Sequence, residues 1–303
     1  MSFLDPNLIA QIEGYRIIPR FAQMGILAGN LLTPRRKGTS LEFADIKPYV
    51  HGDDIKMMDW KVYARRDRYY VRNYEGETNC TVWILIDTSR SMTFKTQRGL
   101  LRKWEFAAKI AIGLAYLALK NRDACGTALF DEKPRSISPP KASWEVLSET
   151  IETLDRFRNF GERTDFKRSL YSLGARLGRR SLIFLISDFM AEEFEEISHA
   201  LEALASLKHE IRAVRVVDPF ELDLKESIAP GSVFFKDIEA GTKEGLTIEA
   251  DEIAGTYEER FMAEEALLKT RLAKRAINFI QASTDKDPGF VLTTSRLLHP
   301  LSH

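Results

Sequence analysis

The chain has 303 residues, of which 44% are hydrophobic and 29% are charged, and its 44 lysines and arginines balance 44 aspartates and glutamates. This is the composition of an ordinary globular protein, long enough for one large domain or two modest ones. A net charge of zero provides no general attraction to nucleic acid or to anionic lipid, so nucleic acid is not predicted as a partner.

Two features of the sequence bear on cellular location. Cys80 and Cys125 have no metal-type spacing and are interpreted as buried thiols of a reducing compartment. The first residues lack the pattern of a signal peptide, and the most apolar longer segment, 107–119, is too short to span a bilayer and contains Lys109. We therefore predict a cytoplasmic protein without a transmembrane segment.

The region 1–78 opens with a short helical segment. It continues through a stretch rich in glycine, proline and aspartate turn signals, with a strand predicted at 68–75. We predict that this region is an N-terminal extension packed on the core. Arginines alternate with tyrosines near its end, which is compatible with base stacking but more typical of a strand with one charged face.

An acidic run in the same region allows two interpretations. Residues 52–54, of sequence Gly-Asp-Asp, together with Asp59, are candidates for a second acidic site. The favoured interpretation is a turn whose carboxylates bond local backbone N–H groups or the side chains of Arg65 and Arg66.

From about residue 80 the chain alternates apolar strands with helices. Strands are predicted at 81–86, 124–130, 135–138, 181–186 and 211–217, and helices at 103–120, 144–157, 166–177 and 192–208. Apolar strands without alternation are buried on both faces, and the intervening helices supply the cover. The pattern predicts an α/β fold of Rossmann type, with a mostly parallel sheet flanked by helices.

The tail after residue 219 contains a predicted hairpin at 232–248 and a long helix from 251 to 281. An apolar stripe marks that helix, formed by Tyr257, Phe261, Leu268, Leu272 and Phe279. There are no internal repeats and no low-complexity linker. We therefore predict one domain, 79–303, with a C-terminal hairpin and helix as an elaboration.

Oxygen-bearing side chains follow two of the predicted strands. Asp87, Ser89 and Ser91 come after the first strand in the stretch LIDTSRSM, and Asp188 comes after the strand at 181–186. In an open α/β sheet, ligands bind beyond the carboxyl ends of the strands where the strand order reverses. If the two strands are neighbours there, these oxygens converge and suit a hard cation such as Mg²⁺. Alternatively, each residue caps a helix or forms a turn.

The motif Asp87-Thr-Ser89-Arg-Ser91 resembles the D-x-S-x-S motif of von Willebrand factor A domains, the metal-ion-dependent adhesion site (MIDAS). That family adds a threonine from a later loop and an aspartate after another strand, which Thr164 in GERTDF and Asp188 in LISDF match. The resemblance, over residues 79–218, implies that these five residues hold Mg²⁺, or Mn²⁺ or Ca²⁺. It implies binding rather than turnover, because an acidic residue of a partner protein commonly completes the metal shell.

The stretch before this motif, EFADIKPYVHGDDIKMMDWKVYARRDRYYVRNYEGE, resembles bacterial proteins catalogued as domain of unknown function 58. The matching residues are Glu42, Phe43, Asp45, Tyr49, Gly52, Asp53, Asp54, Asp59, Trp60, Ala64 and Arg65. Those proteins carry a von Willebrand A-like domain and are often linked to MoxR-type AAA+ ATPases. Many begin with membrane helices, and none is predicted here. The resemblance implies an adaptor that works with such an ATPase in assembling or activating other proteins.

A metal-dependent phosphatase or phosphotransferase is the main alternative, because such sites also begin with an aspartate after a strand. Those enzymes use Asp-x-Asp, whereas the corresponding position here is Ser89, a poor proton shuttle. Neither a glycine-rich phosphate loop nor a suitably placed histidine base is present. We therefore predict a non-catalytic, Mg²⁺-dependent protein-binding module. A structural scaffold with a vestigial metal site is the third interpretation.

Overall fold

The computed structural model describes residues 3, 5–20, 42–49, 58–66, 68–75, 80–178, 180–190, 194–222, 232–236 and 245–301. The chain forms two compact units. The larger unit contains residues 1–17 and 80–303, and the smaller contains residues 18–79. The first segment of the chain therefore belongs to the larger unit, although the sequence places it in an extension.

The α-helices of the described residues are α1 (Pro6–Ile12), α2 (Trp60–Arg66), α3 (Lys103–Lys120), α4 (Glu145–Arg156), α5 (Phe166–Gly174), α6 (Phe194–Ser206), α7 (Pro219–Leu222), α8 (Ala250–Lys274) and α9 (Pro288–Thr294). The strands are β1 (Tyr15–Arg16), β2 (Glu42–Pro48), β3 (Tyr70–Glu75), β4 (Thr81–Asp87), β5 (Ala124–Phe130), β6 (Pro134–Lys141), β7 (Leu182–Ser187), β8 (Glu210–Val217), β9 (Ser232–Lys236), β10 (Gly245–Glu249), β11 (Asn278–Ser283) and β12 (His299–Pro300).

A six-stranded sheet forms the centre of the larger unit, in the order β11-β8-β7-β4-β5-β6. All neighbouring pairs are parallel except β5 and β6, which are antiparallel. The predicted fold class, an α/β fold with a mostly parallel sheet flanked by helices, is confirmed. Most of the predicted strands and helices between residues 80 and 217 lie within a few residues of their observed bounds.

The two faces of the sheet are buried in separate apolar layers, which explains why the central strands do not alternate in polarity. Along β4, Ile84 and Ile86 pack in one layer with helix α3. Trp83 and Leu85 point into the other layer, where they meet helices α5 and α6. Burial on both faces fixes the register of β4, because a one-residue slip would exchange the layers.

The predicted helix 251–281 is wrong in its last part. Helix α8 ends at Lys274, Ala276 adopts a left-handed backbone with φ of 56°, and Phe279 lies in strand β11. The stripe of apolar residues continues through this point with helical spacing, so periodicity alone extends the helix. Parallel pairing of β11 with the buried strand β8 satisfies its backbone groups and overrides that local pattern. The predicted hairpin is confirmed as the antiparallel pair β9 and β10.

In the smaller unit, β2 and β3 form an antiparallel pair. Asp59 caps α2, because its carboxylate accepts from the backbone N–H groups of Lys61 at 2.9 Å and Val62 at 3.2 Å. Asp59 is therefore engaged in the local turn contacts that the sequence favoured. Asp53 and Asp54 lie outside the described residues. In the described part of the chain, no helix is both long enough and apolar enough to cross a membrane.

Candidate functional site

The strand order reverses at β4, which lies between β5 and β7 with all three strands parallel. Asp87 is the last residue of β4, and Asp188 directly follows β7. The register pairs Ile86 with Ile186, so both aspartates reach the same edge of the sheet. This is the position at which open α/β sheets bind ligands.

Four hydrogen bonds converge on the Asp87 carboxylate. Its Oδ1 accepts from the Ser89 backbone N–H at 2.8 Å and from the Thr164 hydroxyl at 2.8 Å. Its Oδ2 accepts from the Ser187 hydroxyl at 2.6 Å and from Thr164 at 3.0 Å. The side chain is fully buried. These contacts hold Asp87 in one orientation and bring Thr164 directly to it.

The turn after β4 places the two serines together. The Oγ atoms of Ser89 and Ser91 lie 2.9 Å apart. A short 3₁₀ helix, Arg90–Thr93, follows Ser89 and turns the chain back over the end of the strand. The Thr88 side chain faces away and bonds the carbonyl of Phe130 on the neighbouring strand. The serine pair is therefore fixed relative to the sheet.

Thr164 comes from the loop between α4 and α5, and this loop is tied to the strand ends. The backbone N–H of Gly161 donates to the carbonyl of Thr88 at 2.9 Å. The backbone N–H of Asp165 donates to the carbonyl of Asp131, and the Asp165 carboxylate caps α5 through the N–H of Arg168 at 2.7 Å. The loop is therefore anchored on both sides of Thr164.

Asp188 is held by a backbone N–H and by two cationic side chains. Its Oδ1 accepts from the backbone N–H of Met190 at 3.1 Å, and its Oδ2 accepts from the Lys103 ammonium at 3.2 Å. The guanidinium of Arg215 donates to the Asp188 carbonyl at 3.2 Å. The local turn through Met190 orients the carboxylate independently of the lysine.

At this edge of the sheet, it is electrostatically unfavourable for Asp87 and Asp188 both to be ionised with no cation between them. Burial and the negative charge of Asp188 raise the pKa of Asp87 to about 7, although the hydrogen bonds from Ser187, Ser89 and Thr164 act in the opposite direction. A cation between the two carboxylates would remove this penalty.

The donor set fits a small hard cation. It contains two carboxylates and three hydroxyls, all of them oxygen ligands. Asp87, Ser89 and Asp188 are buried, whereas Ser91 and Thr164 are partly exposed, so the group is open to solvent on one side. Among the described residues no cluster of three or more His, Cys, Asp or Glu has metal-ligand geometry. The donor set around Asp87 has only two such residues, so its fit to a cation depends on the three hydroxyls.

The sequence patterns do not predict two further residues at this edge, Ser187 and Lys103. Ser187 bonds Asp87, and it could have been found from its position at the end of β7, level with the end of β4. Lys103 is the first residue of α3 and is buried against Asp188. A positive charge in the first turn of a helix is locally unfavourable. That is a signal that Lys103 has a tertiary partner.

A depression lies in the segment that follows the 3₁₀ helix. It has a volume of about 790 Å³ and is lined by Thr93, Lys95, Thr96, Gln97, Gly99 and Arg102. The segment is fixed to the end of β8, because the backbone N–H of Thr96 donates to Asp218 at 3.0 Å. Two of the lining side chains are cationic, so an acidic group is the electrostatically favoured occupant.

The profile of the family described as "Protein of unknown function DUF58" matches residues 45–267, about three quarters of the chain. The chain belongs to the DUF58 family. The match includes strand β4, the loop of Thr164 and Asp188, so the whole candidate site lies within the family region.

Relatives and solved structures add more distant likenesses. The chain is 25% identical over 248 residues to "Uncharacterized protein Rv1480" of Mycobacterium tuberculosis, covering 81% of this chain and 75% of that protein. The crystal structure of BatB from Bacteroides thetaiotaomicron is 16% identical, with a TM-score of 0.41 over 67% of this chain and 90% of that one. Proximal thread matrix protein 1 from the mussel byssus, with a zinc-occupied MIDAS motif, is 13% identical, with a TM-score of 0.36 over 46% of this chain and 38% of that one.

Proposed function

We propose that this DUF58 protein is a non-catalytic binding module that holds a divalent cation, Mg²⁺ or its analogue Mn²⁺ or Ca²⁺, and captures an acidic residue of a partner protein through it. Asp87, Ser89, Ser91, Thr164 and Asp188 would hold the ion. The observation that carries the proposal is the Thr164 hydroxyl bonded to both oxygens of Asp87, beside the Ser89–Ser91 pair and the end of β7.

The charge balance of these residues supports capture of a carboxylate. The two carboxylates carry at most two negative charges, which do no more than balance the charge of a divalent ion, and the three hydroxyls add no charge. A bound ion would act as an electrophilic anchor for an incoming carboxylate. The partly exposed Ser91 and Thr164 mark the open side, and the cations Lys95 and Arg102 stand on the segment next to it.

The first test measures the ion itself. In thermal melts and calorimetric titrations, Mg²⁺ and Mn²⁺ are expected to raise the melting temperature of the wild type, because a ligand that binds only the folded state stabilises it. Asp87→Asn is expected to lose this shift. It removes the charge while its amide oxygen still accepts from Ser89 and Thr164, so the fold should survive.

The matched control is Asp123→Asn. Asp123 is also a buried aspartate with a raised pKa, but it lies beside Cys80 at the opposite end of β4 and β5. Because each residue of a β-strand advances the chain by about 3.3 Å, the seven residues of β4 place Asp123 about 20 Å from Asp87. The Asp123→Asn variant should keep the metal-induced rise in melting temperature. Equal shifts in the wild type and Asp87→Asn would contradict the proposal.

The second test concerns the partner. Immobilised wild-type protein is expected to retain a partner in Mg²⁺ and release it in EDTA, and Asp87→Ala is expected to retain nothing under either condition. The captured proteins are identified by mass spectrometry. A partner that binds Asp87→Ala as well as the wild type, or that binds equally in EDTA, would refute metal-dependent capture.

We propose a MoxR-type AAA+ ATPase as the working partner, with assembly or activation of other proteins as the process served. This rests on the resemblance of residues 42–77 to DUF58 proteins that are linked to such ATPases. A purified MoxR-type ATPase from the same source is expected to co-elute with the wild type in Mg²⁺ during gel filtration, and independent elution under all conditions would contradict the pairing.

The enzymatic alternative predicts a different result. A metal-dependent phosphatase would hydrolyse phosphate esters in Mg²⁺ and lose that turnover in Asp87→Asn. We expect no turnover, because Ser89 stands where those enzymes place an acid/base aspartate, and a serine hydroxyl does not ionise near neutral pH. Turnover that depends on Asp87 would replace the binding-module proposal.

A further inference from the structure

Lys103 places a positive charge inside the candidate metal site. Its side chain is 1% exposed, and its ammonium lies 3.2 Å from the Oδ2 of Asp188. It also contacts the carboxylate of Glu221, and the ring of Phe94 covers it at 5.6 Å. A lysine is almost never buried to this extent unless it is paired. The positive charge of Lys103 is therefore held by specific contacts at this edge of the sheet.

The ion pair is held from both sides. Burial by itself would lower the pKa of Lys103, but the carboxylates of Glu221 and Asp188 outweigh it and raise that pKa above its ordinary value. Contact with these two carboxylates favours the charged ammonium form of the lysine. The other oxygen of Glu221 accepts from the backbone N–H of Asp218 at 2.8 Å, which fixes the glutamate at the end of β8.

Formal charges show what the pair does to the site. Asp87, Asp188 and Glu221 contribute three negative charges, and Lys103 contributes one positive charge. The four groups together therefore carry a formal net charge of −2, which one divalent ion cancels. Lys103 alone would weaken the binding of a cation by repulsion, and Glu221 alone would strengthen it. Arg215 contacts the Asp188 carbonyl and is retained in every variant of the test.

We propose that the buried Lys103–Glu221 pair sets the affinity of the site for a divalent cation, with Lys103 as the group that limits it and Glu221 as the group that restores it. This inference rests on the proposed function. Lys103 and Glu221 act on the ion through their charges and are not ligands of it. Lys103 also acts as an internal counter-ion for Asp188, so that the buried carboxylate is tolerated when no metal is present.

Three variants test the charge logic by calorimetric titration with Mg²⁺ and Mn²⁺. Lys103→Met should bind the ion more tightly, by about tenfold or more, because a buried charge a few ångströms away interacts through a low dielectric. Glu221→Gln should bind it more weakly by a similar factor. The double variant Lys103→Met/Glu221→Gln restores the net charge and should bind like the wild type.

The control is Lys109→Met on the same helix. Lys109 pairs with Asp5 at 2.8 Å and is 22% exposed, outside the site. It should leave the affinity unchanged. If Lys103→Met does not fold, Glu221→Gln and the double variant still decide the question, since only the charge model predicts that the second change reverses the effect of the first.

The outcomes separate the two proposals. A wild type that binds no divalent ion overturns both. A wild type that binds the ion, with affinity unchanged or reduced in Lys103→Met and unchanged in Glu221→Gln, overturns only the role of the pair. Thermal melts without metal give a second readout, in which Lys103→Met should be the least stable variant because it leaves Asp188 and Glu221 unpaired.

Discussion

Asp87 and Asp123 are two buried aspartates at opposite ends of the same pair of strands, and their surroundings differ. Donors from three segments converge on Asp87. Asp123 accepts from the backbone N–H of Cys80 at 2.9 Å, and its other oxygen has no hydrogen-bond partner among the described residues. Burial raises the pKa of Asp123 to about 8. The carboxylate at the candidate site is heavily hydrogen-bonded, and the one at the far edge is a structural group that favours its protonated form.

Asp123 should make stability depend on pH in a defined direction. The unfolded carboxyl has its ordinary pKa of 3.8 and the folded one a pKa of about 8, so the folded state binds more protons between these values. The contribution of Asp123 to stability is therefore complete below pH 3.8 and is lost as the pH rises through about 8.

Asp123→Asn removes this titration and keeps an oxygen for the Cys80 N–H. We expect the variant to be more stable than the wild type at pH 8 and to show a smaller decline in the free energy of unfolding between pH 5 and pH 8, measured by urea titration at each pH. Glu152→Gln, an exposed change on α4, is the control for loss of one negative charge. If the free energy of unfolding changes with pH equally in the wild type and in Asp123→Asn, Asp123 is not the group responsible for the decline.

At the scale of elements, tight backbone packing decides the antiparallel edge of the sheet. Gly126 lies in β5, and a Cβ there would stand 2.9 Å from the backbone nitrogen of Pro140 and 3.0 Å from the carbonyl oxygen of Ser138. The pairing of β5 and β6 shifts register next to this residue. The close approach of two backbones at the bulge therefore depends on the absence of a side chain.

Gly126→Ala should lower the free energy of unfolding by about 1–3 kcal/mol, the usual cost of overpacking, because the atoms in the way are backbone rather than flexible side chains. Gly14→Ala is the matched control, since no atom of the described part of the chain lies within 4 Å of its added Cβ. Denaturant unfolding measures both. A loss in Gly126→Ala no larger than in Gly14→Ala would show that β6 can move aside.

At the scale of the whole larger unit, the two ends of its chain meet on helix α3. Helices α1 and α9 both pack on α3, and β1 pairs with β12 next to them. Ile12 is fully buried in this apolar layer, and Gly113 of α3 lets Leu292 and Ile12 approach closely. Contacts between residues at opposite ends of the sequence therefore contribute to the stability of the core.

Ile12→Ala should cost about 2–5 kcal/mol, the range for truncating a buried isoleucine, although Ile12 lies far from the sheet in sequence. Asn7→Ala, an exposed position of the same helix, should change stability little. Urea unfolding followed by circular dichroism compares them. If both substitutions cost the same, α1 is not an integral part of the core.

Local sequence patterns were sufficient to predict several elements of the fold. Apolar runs marked β4, β5, β7 and β8 as buried strands, helical spacing marked α3, and the parallel topology that follows from them placed Asp87 and Asp188 at one edge. The cluster around Asp87 could thus be anticipated in outline, with Thr164 supplied by a family resemblance.

Four features depend on long-range contacts and could not be predicted from local patterns: the end of α8, the strand β11, the bond from Ser187 to Asp87, and the burial of Lys103 against Asp188 and Glu221. The physical reason is the same in each case. Periodicity reports which side of an element is buried, but it does not report which distant segment supplies the neighbour. A strand whose spacing fits a helix, and a lysine at a helix start, acquire their roles only when the fold brings β8 and the carboxylates to them.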